Sequence, residues 1–179
     1  ITIEVNPGTV TKEKLEDYIK CGINRISIGL QSTENILLKQ IGRIHTYEQF
    51  VETYRLARKV GFKNINVDLM LALPNQTIDV LEGSLNKILE LKPEHISVYS
   101  LILEENTTLY ELVENKIVCL PDEDTERKMY WNVKNKLEEK VWYYSLSQIN
   151  KKFPGYKHIW APPCFSLVKN EIQVLNFLA

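Results

Sequence analysis

Repeated alternation is the tightest constraint in this sequence. Four short segments place apolar residues on one parity and polar or small residues on the other, and each is followed by a stretch with helical character. In the first, Ile1, Ile3 and Val5 alternate with Thr2, Glu4 and Asn6 until Pro7-Gly8 ends the run. That is the period-2 pattern of a strand closed by turn residues. The second segment, 24–31, sets Ile26, Ile28 and Leu30 against Ser27, Gly29 and Gln31. The third, 64–69, sets Ile65, Val67 and Leu69 against Asn64, Asn66 and Asp68, and Leu71-Ala72-Leu73-Pro74 is expected to leave the sheet. The fourth covers Ile96-Ser97-Val98-Tyr99-Ser100.

Helical signals separate the strands. Thr11 is placed to cap a helix carrying Leu15, Tyr18 and Ile19 that Gly22 closes, and a shorter helix is expected over 34–41. Thr46 and Gln49 form a capping box ahead of an apolar stripe of Phe50, Tyr54, Ala57 and Val60, which Gly61 ends. Thr77 caps a helix to about Leu91, and Pro93 forbids its extension. Beyond the fourth strand a longer connection holds a short helix over 109–114. Pro121-Asp122 opens a long helix to about Lys140, and 142–146 offers a fifth strand.

Strands alternating with helices make this an α/β chain with parallel strands and right-handed crossovers. A doubly wound sheet is covered on both sides and its strands read as apolar on both faces. Here only one parity is apolar, so the expected architecture is a partial (β/α) barrel with outer helices and a polar interior. In such barrels chemistry sits at the C-terminal ends of the strands, where Glu4, Asn6, Gln31, Asn66, Asp68 and Tyr99 accumulate. A solvated loop explains any one polar strand end; the shared parity over four strands points to a ligand site.

Composition removes several classes of function. With 179 residues, 44% of them hydrophobic, the chain can bury the core of one domain or most of one. A net charge of -1 gives no reason to expect nucleic acid. No apolar run approaches the roughly 20 residues that span a bilayer, and no leader precedes the first strand, so a cytoplasmic location is expected. Cys21, Cys119 and Cys164 are isolated and odd in number, and His158 with Cys164 lacks a second pair, so no metal site is read from this chain. A strand pattern that begins at residue 1 suggests an internal strand with further chain upstream.

Five runs resemble the oxygen-independent coproporphyrinogen III oxidase family of radical S-adenosylmethionine (SAM) proteins, and especially its shorter heme chaperone branch. They are Glu4-Val5-Asn6-Pro7-Gly8-Thr9, the segment 22–32, Gly42-Arg43-Ile44-His45, Asn66-Val67-Asp68-Leu69-Met70 with Leu73-Pro74, and Ile96-Ser97-Val98-Tyr99-Ser100-Leu101. They stand in the family's order over roughly residues 1–140. The resemblance implies a partial radical SAM barrel over 1–140, a [4Fe-4S] cluster and a SAM molecule across the strand tops. By position, Glu4, Gln31, Arg43 and Asp68 match SAM-contacting residues: Arg43 for the methionyl carboxylate, Asp68 and Gln31 for ribose hydroxyls, Glu4 for an amino group or hydroxyl. His45 fits its run and is given no catalytic role, a loop histidine being more often solvated or capping. Tyr99 either lines the pocket or packs.

The sequence departs from the family in three places. The family's cluster motif, three cysteines spaced Cys-x3-Cys-x2-Cys, lies upstream of Glu4, so the chain is expected to be a fragment that is inactive without it. Ala72 stands where relatives commonly have Gly, which is tolerable unless the backbone there needs a positive φ. The segment 141–179 diverges, with only faint echoes at 147–150 and 154–158.

Two activities follow from the resemblance. One is a heme chaperone that binds heme and transfers it to an acceptor protein. The other is an oxidase that decarboxylates porphyrinogen propionates, through a 5′-deoxyadenosyl radical and an electron donor the sequence does not identify. Residues 102–110 resemble the shorter branch and favour the chaperone. An inactive fragment is the third reading, and the resemblance leaves open whether the chain is part of an enzyme.

Overall fold

The computed structural model describes residues 1–139, 143–146 and 165–168. In chain order it forms β1 (Thr2–Val5), α1 (Lys12–Lys20), β2 (Arg25–Gln31), α2 (Asn35–Gln40), α3 (Tyr47–Val60), β3 (Ile65–Leu71), α4 (Ile78–Glu90), β4 (His95–Ser100), α5 (Thr108–Glu114) and α6 (Glu123–Glu139), followed by β5 (Tyr143–Leu146) and β6 (Phe165–Val168). Strands β1 to β4 lie side by side in sequence order and all pair in parallel, as the alternation predicts. Beyond β4 the sheet continues through β6 and then β5, both in antiparallel pairings. The family echoes at 147–150 and 154–158, with His158 and Cys164, lie outside the described residues.

Local chemistry sets the helix starts. Thr11 Oγ1 accepts from the Lys14 amide, and Thr77 Oγ1 accepts from that of Val80. At α3 the box is reciprocal: Thr46 Oγ1 accepts from Gln49 N at 3.3 Å and Gln49 Oε1 accepts from Thr46 N at 2.9 Å. Gly61 ends that helix at φ 115°, a conformation open to a residue without Cβ.

The apolar parity of the strands faces the helices. Ile26, Ile28, Leu30, Ile65, Val67, Leu69, Ile96 and Val98 are fully buried. They share one cluster with Leu15 of α1, Phe50 and Tyr54 of α3, Leu81 and Leu85 of α4, and Met129, Val133 and Leu137 of α6. Each such side chain contributes roughly 1.5–3 kcal/mol through burial. At the N-terminal end of the sheet Arg58 reaches from α3 to Glu94 at 2.7 Å, and Glu94 Oε2 accepts from the Ile65 amide at 3.0 Å. That polar bracket joins α3 to the starts of β3 and β4, leaving the opposite rim to the loops.

The bounds of β3 and β4 differ from expectation in ways that bear on the site. β3 continues through Leu71 rather than leaving the sheet there, because Met70 and Leu71 pair with Tyr99 and Ser100 of β4. β4 begins one residue early, at His95. Immediately after β3, Ala72 is 5% exposed and takes φ 60°. The methyl therefore stands at a position where a left-handed backbone is required, the condition under which alanine is disfavoured against glycine. Ala72→Gly is expected to raise unfolding stability by about 1 kcal/mol. In urea titrations the midpoint should rise at unchanged slope; a midpoint that falls would show that the buried methyl outweighs the backbone strain.

Candidate functional site

The polar parity of the strands is assembled by register. Glu4 pairs with Ser27, Ser27 with Asn66, and Asn66 with His95, so one row of the sheet carries four polar side chains. The next row toward the C-terminal rim is Gly29, Asp68 and Ser97. Between Gly29 and Gln31 the register shifts at a β-bulge, and Gln31 takes φ 72° while only 3% exposed. A buried glutamine in left-handed backbone is strained, and such strain persists where surrounding contacts over-determine it. One of those contacts is Tyr99, whose hydroxyl donates to Gln31 Oε1 at 2.7 Å.

These rows floor a cavity of about 420 Å³, within the range of small-molecule sites. Glu4, Gln31, Arg43 and Asp68, the four residues singled out from sequence, all line it, together with Asn6, Ser27, Gly29 and Tyr99. Tyr99 thus lines the cavity and also packs, lying against the small apolar cluster of Leu37, Met70 and Leu73. Gly29 keeps the floor open: a Cβ there would come within 3.1 Å of Gln31 Nε2 and 3.6 Å of Asn6 Oδ1.

Arg43 enters from the loop after α2, and its Nη1 donates to Asn6 Oδ1 at 3.2 Å. The loop is pinned beside it. His45 is 5% exposed, and its Nε2 donates to the Leu30 carbonyl at 3.2 Å; burial holds its pKa below the usual histidine value. His45 is therefore a buried tie between loop and strand: of the solvated and capping roles its loop position suggested, solvation is excluded and its bond satisfies a backbone carbonyl.

The electrostatics are those of a partly desolvated carboxylate site. Burial raises the Asp68 pKa, and Glu4 adds repulsion, while hydrogen bonds from Asn66, Ser27 and Ser97 pull it back. Asn66 Nδ2 donates to Asp68 Oδ1 at 2.7 Å and Ser27 Oγ to Asp68 Oδ2 at 3.3 Å. Two carboxylates, one guanidinium and several neutral amides and hydroxyls suit a polar ligand that carries both a cationic centre and a carboxylate. The open cradle above Gly29 and this donor set fit SAM. Among the described residues no three His, Cys, Asp or Glu side chains converge as a metal site, so none of them is matched to a cluster.

The residues chosen from sequence reach from the rim, with Gln31 and Arg43, to the floor, with Glu4 and Asp68. Asn66 stands among the polar strand ends that point to a ligand site, whereas Ser27 shares their parity without being singled out and Arg25 and His95 lie outside that set. His95 could have been found by extending the inward parity of the fourth strand, Ser97 and Tyr99, back by two residues. It is 4% exposed, and burial followed by the nearby Arg25 charge lowers its pKa from 6.5 to about 3.

That depression has a definite sign. The folded chain keeps His95 neutral while the unfolded chain takes up a proton below pH 6.5. The contribution is complete above that pH and is lost as pH falls toward 3. Between pH 7 and 5 the protein should lose roughly 2 kcal/mol more stability than His95→Asn, which cannot titrate. Urea unfolding at each pH reads this out; parallel curves for the two proteins would mean that His95 titrates normally.

Comparison with known proteins agrees with the fold. The radical SAM superfamily model matches residues 1–88. The heme chaperone HemW of Bacillus subtilis is 40% identical over 157 residues, 87% of this chain and 41% of that protein. The Escherichia coli heme chaperone HemW is 42% identical over 124 residues, 69% of this chain and 32% of its own length. The chain therefore spans about two fifths or less of the length of these relatives. Among solved structures, the radical SAM enzyme coproporphyrinogen III oxidase HemN of Escherichia coli superposes with a TM-score of 0.73 at 20% identity, covering 99% of this chain and 37% of that one. With the matched model and the two relatives near 40% identity in agreement, the chain belongs to the radical SAM superfamily and is similar within it to proteins named heme chaperones.

Proposed function

We propose that this chain forms the SAM-binding part of a heme chaperone that binds heme and transfers it to an acceptor protein. The observation that carries the reading is the convergence of Glu4, Gln31, Arg43 and Asp68 on one polar cavity. Arg43 offers a planar set of donors, one of them used on Asn6, and would grip the methionyl carboxylate with paired charge-assisted hydrogen bonds. Asp68 accepts from ribose hydroxyls, Gln31 offers its Nε2 to a ribose oxygen while Tyr99 occupies its Oε1, and Glu4 takes the amino group or a hydroxyl. When bound, SAM would supply the 5′-deoxyadenosyl group that this superfamily uses. The chain's own residues orient that molecule and exclude water from its polar end. The relatives named heme chaperones support heme as the cargo, and in this reading heme is carried rather than consumed. The composition supports a cytoplasmic location.

The test uses the full-length protein with its cluster reconstituted anaerobically. Arg43→Ala and Asp68→Ala should each weaken SAM binding at least tenfold in calorimetry, the effect of losing a charge-assisted contact. Unchanged affinity in both variants would remove the site. Separately, heme titration followed by transfer to an apo-acceptor should succeed with the wild type. If instead coproporphyrinogen is decarboxylated and no heme is transferred, the oxidase reading replaces the chaperone.

A further inference from the structure

Below the cavity the polar rows close into a sealed network around Asn66, which is 1% exposed. Its carboxamide is fully used. Nδ2 donates to Ser27 Oγ at 2.8 Å and to Asp68 Oδ1 at 2.7 Å. Oδ1 accepts from Ser97 Oγ at 3.1 Å and lies in hydrogen-bonding contact with His95 Nδ1. A carbonyl oxygen can only accept, so in this arrangement His95 carries its proton on Nδ1.

The alternative is equally well defined. With the Asn66 amide turned over, its oxygen faces Asp68 and Ser27 and its nitrogen faces His95 and Ser97. Two bare oxygens cannot sit at the 2.7 Å that separates these groups, so Asp68 would then have to be protonated, and His95 would have to expose a bare Nδ1. The orientation of Asn66, the tautomer of His95 and the charge of Asp68 are therefore one linked choice. The charged groups around it are Glu4 from β1, Arg25 from β2 and Asp68 itself from β3, with Arg43 across the cavity. Arg25 Nη2 lies 3.4 Å from His95 Nδ1 and, as a donor, favours the bare nitrogen; a ligand hydroxyl that needs an ionised Asp68 favours the protonated one.

We propose that Asn66 and His95 are positioning residues that hold Asp68 as an ionised acceptor for the hydroxyls of a bound nucleoside. This rests on the reading of the cavity as a SAM site. Asn66 touches Asp68 directly, and His95 acts through Asn66 by making one amide orientation the favoured one. Burial keeps His95 neutral, so it has a single proton to place, and the nitrogen that carries it selects the charge state two residues away in the network.

SAM affinity is measured from pH 5.5 to 8.5 in the full-length, cluster-reconstituted protein for wild type, His95→Leu and His95→Asn. His95→Leu removes the donor to Asn66 and should weaken SAM at pH 7 roughly tenfold, moving the acid midpoint of binding up by about one pH unit. His95→Asn places an amide nitrogen where Nδ1 stood and should stay within about threefold of wild type. Overturning results are a His95→Leu protein that matches wild type in affinity and midpoint, or equal weakening in both variants, which would assign the effect to packing rather than to the donor. If His95→Leu does not fold, nitrogen-15 NMR of histidine-labelled wild type with SAM bound decides the matter: a proton on Nδ1 supports the clamp and a proton on Nε2 overturns it. A wild type that binds no SAM would instead remove the reading of the cavity, and the tautomer in the ligand-free protein would still test the clamp.

Discussion

The structure depends on satisfying polar groups inside a sheet. β2 and β3 are buried at nearly every position, although only one parity of each is apolar. A buried polar side chain without a partner costs about as much as a core methyl cluster contributes. Ser27, Asn66, Asp68, His95 and Ser97 escape that cost because parallel register sets them in adjacent rows where each finds another. Asn66 is the centre of this arrangement, since its carboxamide meets both the cavity carboxylate and the histidine of the neighbouring strand. The apolar parity works by ordinary burial against α1, α3, α4 and α6.

The rim carries a different kind of constraint. Gln31 at φ 72° and Ala72 at φ 60° are both non-glycine residues in left-handed backbone, one at the end of β2 and the other just after β3. Adjacent strands thus leave the sheet through strained turns, and of the two residues Gln31 lines the cavity. At Gln31 the bulge has a visible use, because the carboxamide meets Tyr99 and overhangs Gly29. At Ala72 the side chain only joins the apolar core, so there the strain has no matching contact with a ligand group. The Arg43 loop is fixed differently, through the buried His45 bond to Leu30, which sets the guanidinium beside Asn6.

Much of this was legible in advance, for physical reasons that differ by element. Helix starts depend on a few neighbouring residues, so Thr11, Thr46 and Thr77 marked them correctly. Strand parity depends on burial at alternate positions, so Ile26, Ile28 and Leu30 declared the core face. Glu4, Gln31, Arg43 and Asp68 came from motif resemblance, and they share one cavity. His95 and Arg25 were missed because their significance lies across strands: neither stands out along the chain, and their closeness, 3.4 Å between ring and guanidinium, follows from β2 and β4 flanking β3. The end of β3 was misjudged because Leu71-Ala72-Leu73-Pro74 looks like an exit, whereas pairing with β4 keeps Leu71 in the sheet.

By itself the sequence determined the order and type of the elements from β1 to α6, the face of each of the first four strands that would be apolar, and the family whose motifs it carries. These are local properties, set by residue spacing and by capping groups within a few positions. Only the tertiary structure decided which polar side chains would meet, that Gln31 and Ala72 would sit in left-handed backbone, and that His95 would lie buried behind Asn66. Register between strands far apart in the chain is settled by packing of the whole sheet, and hydrogen bonds across it exist only once that packing is made.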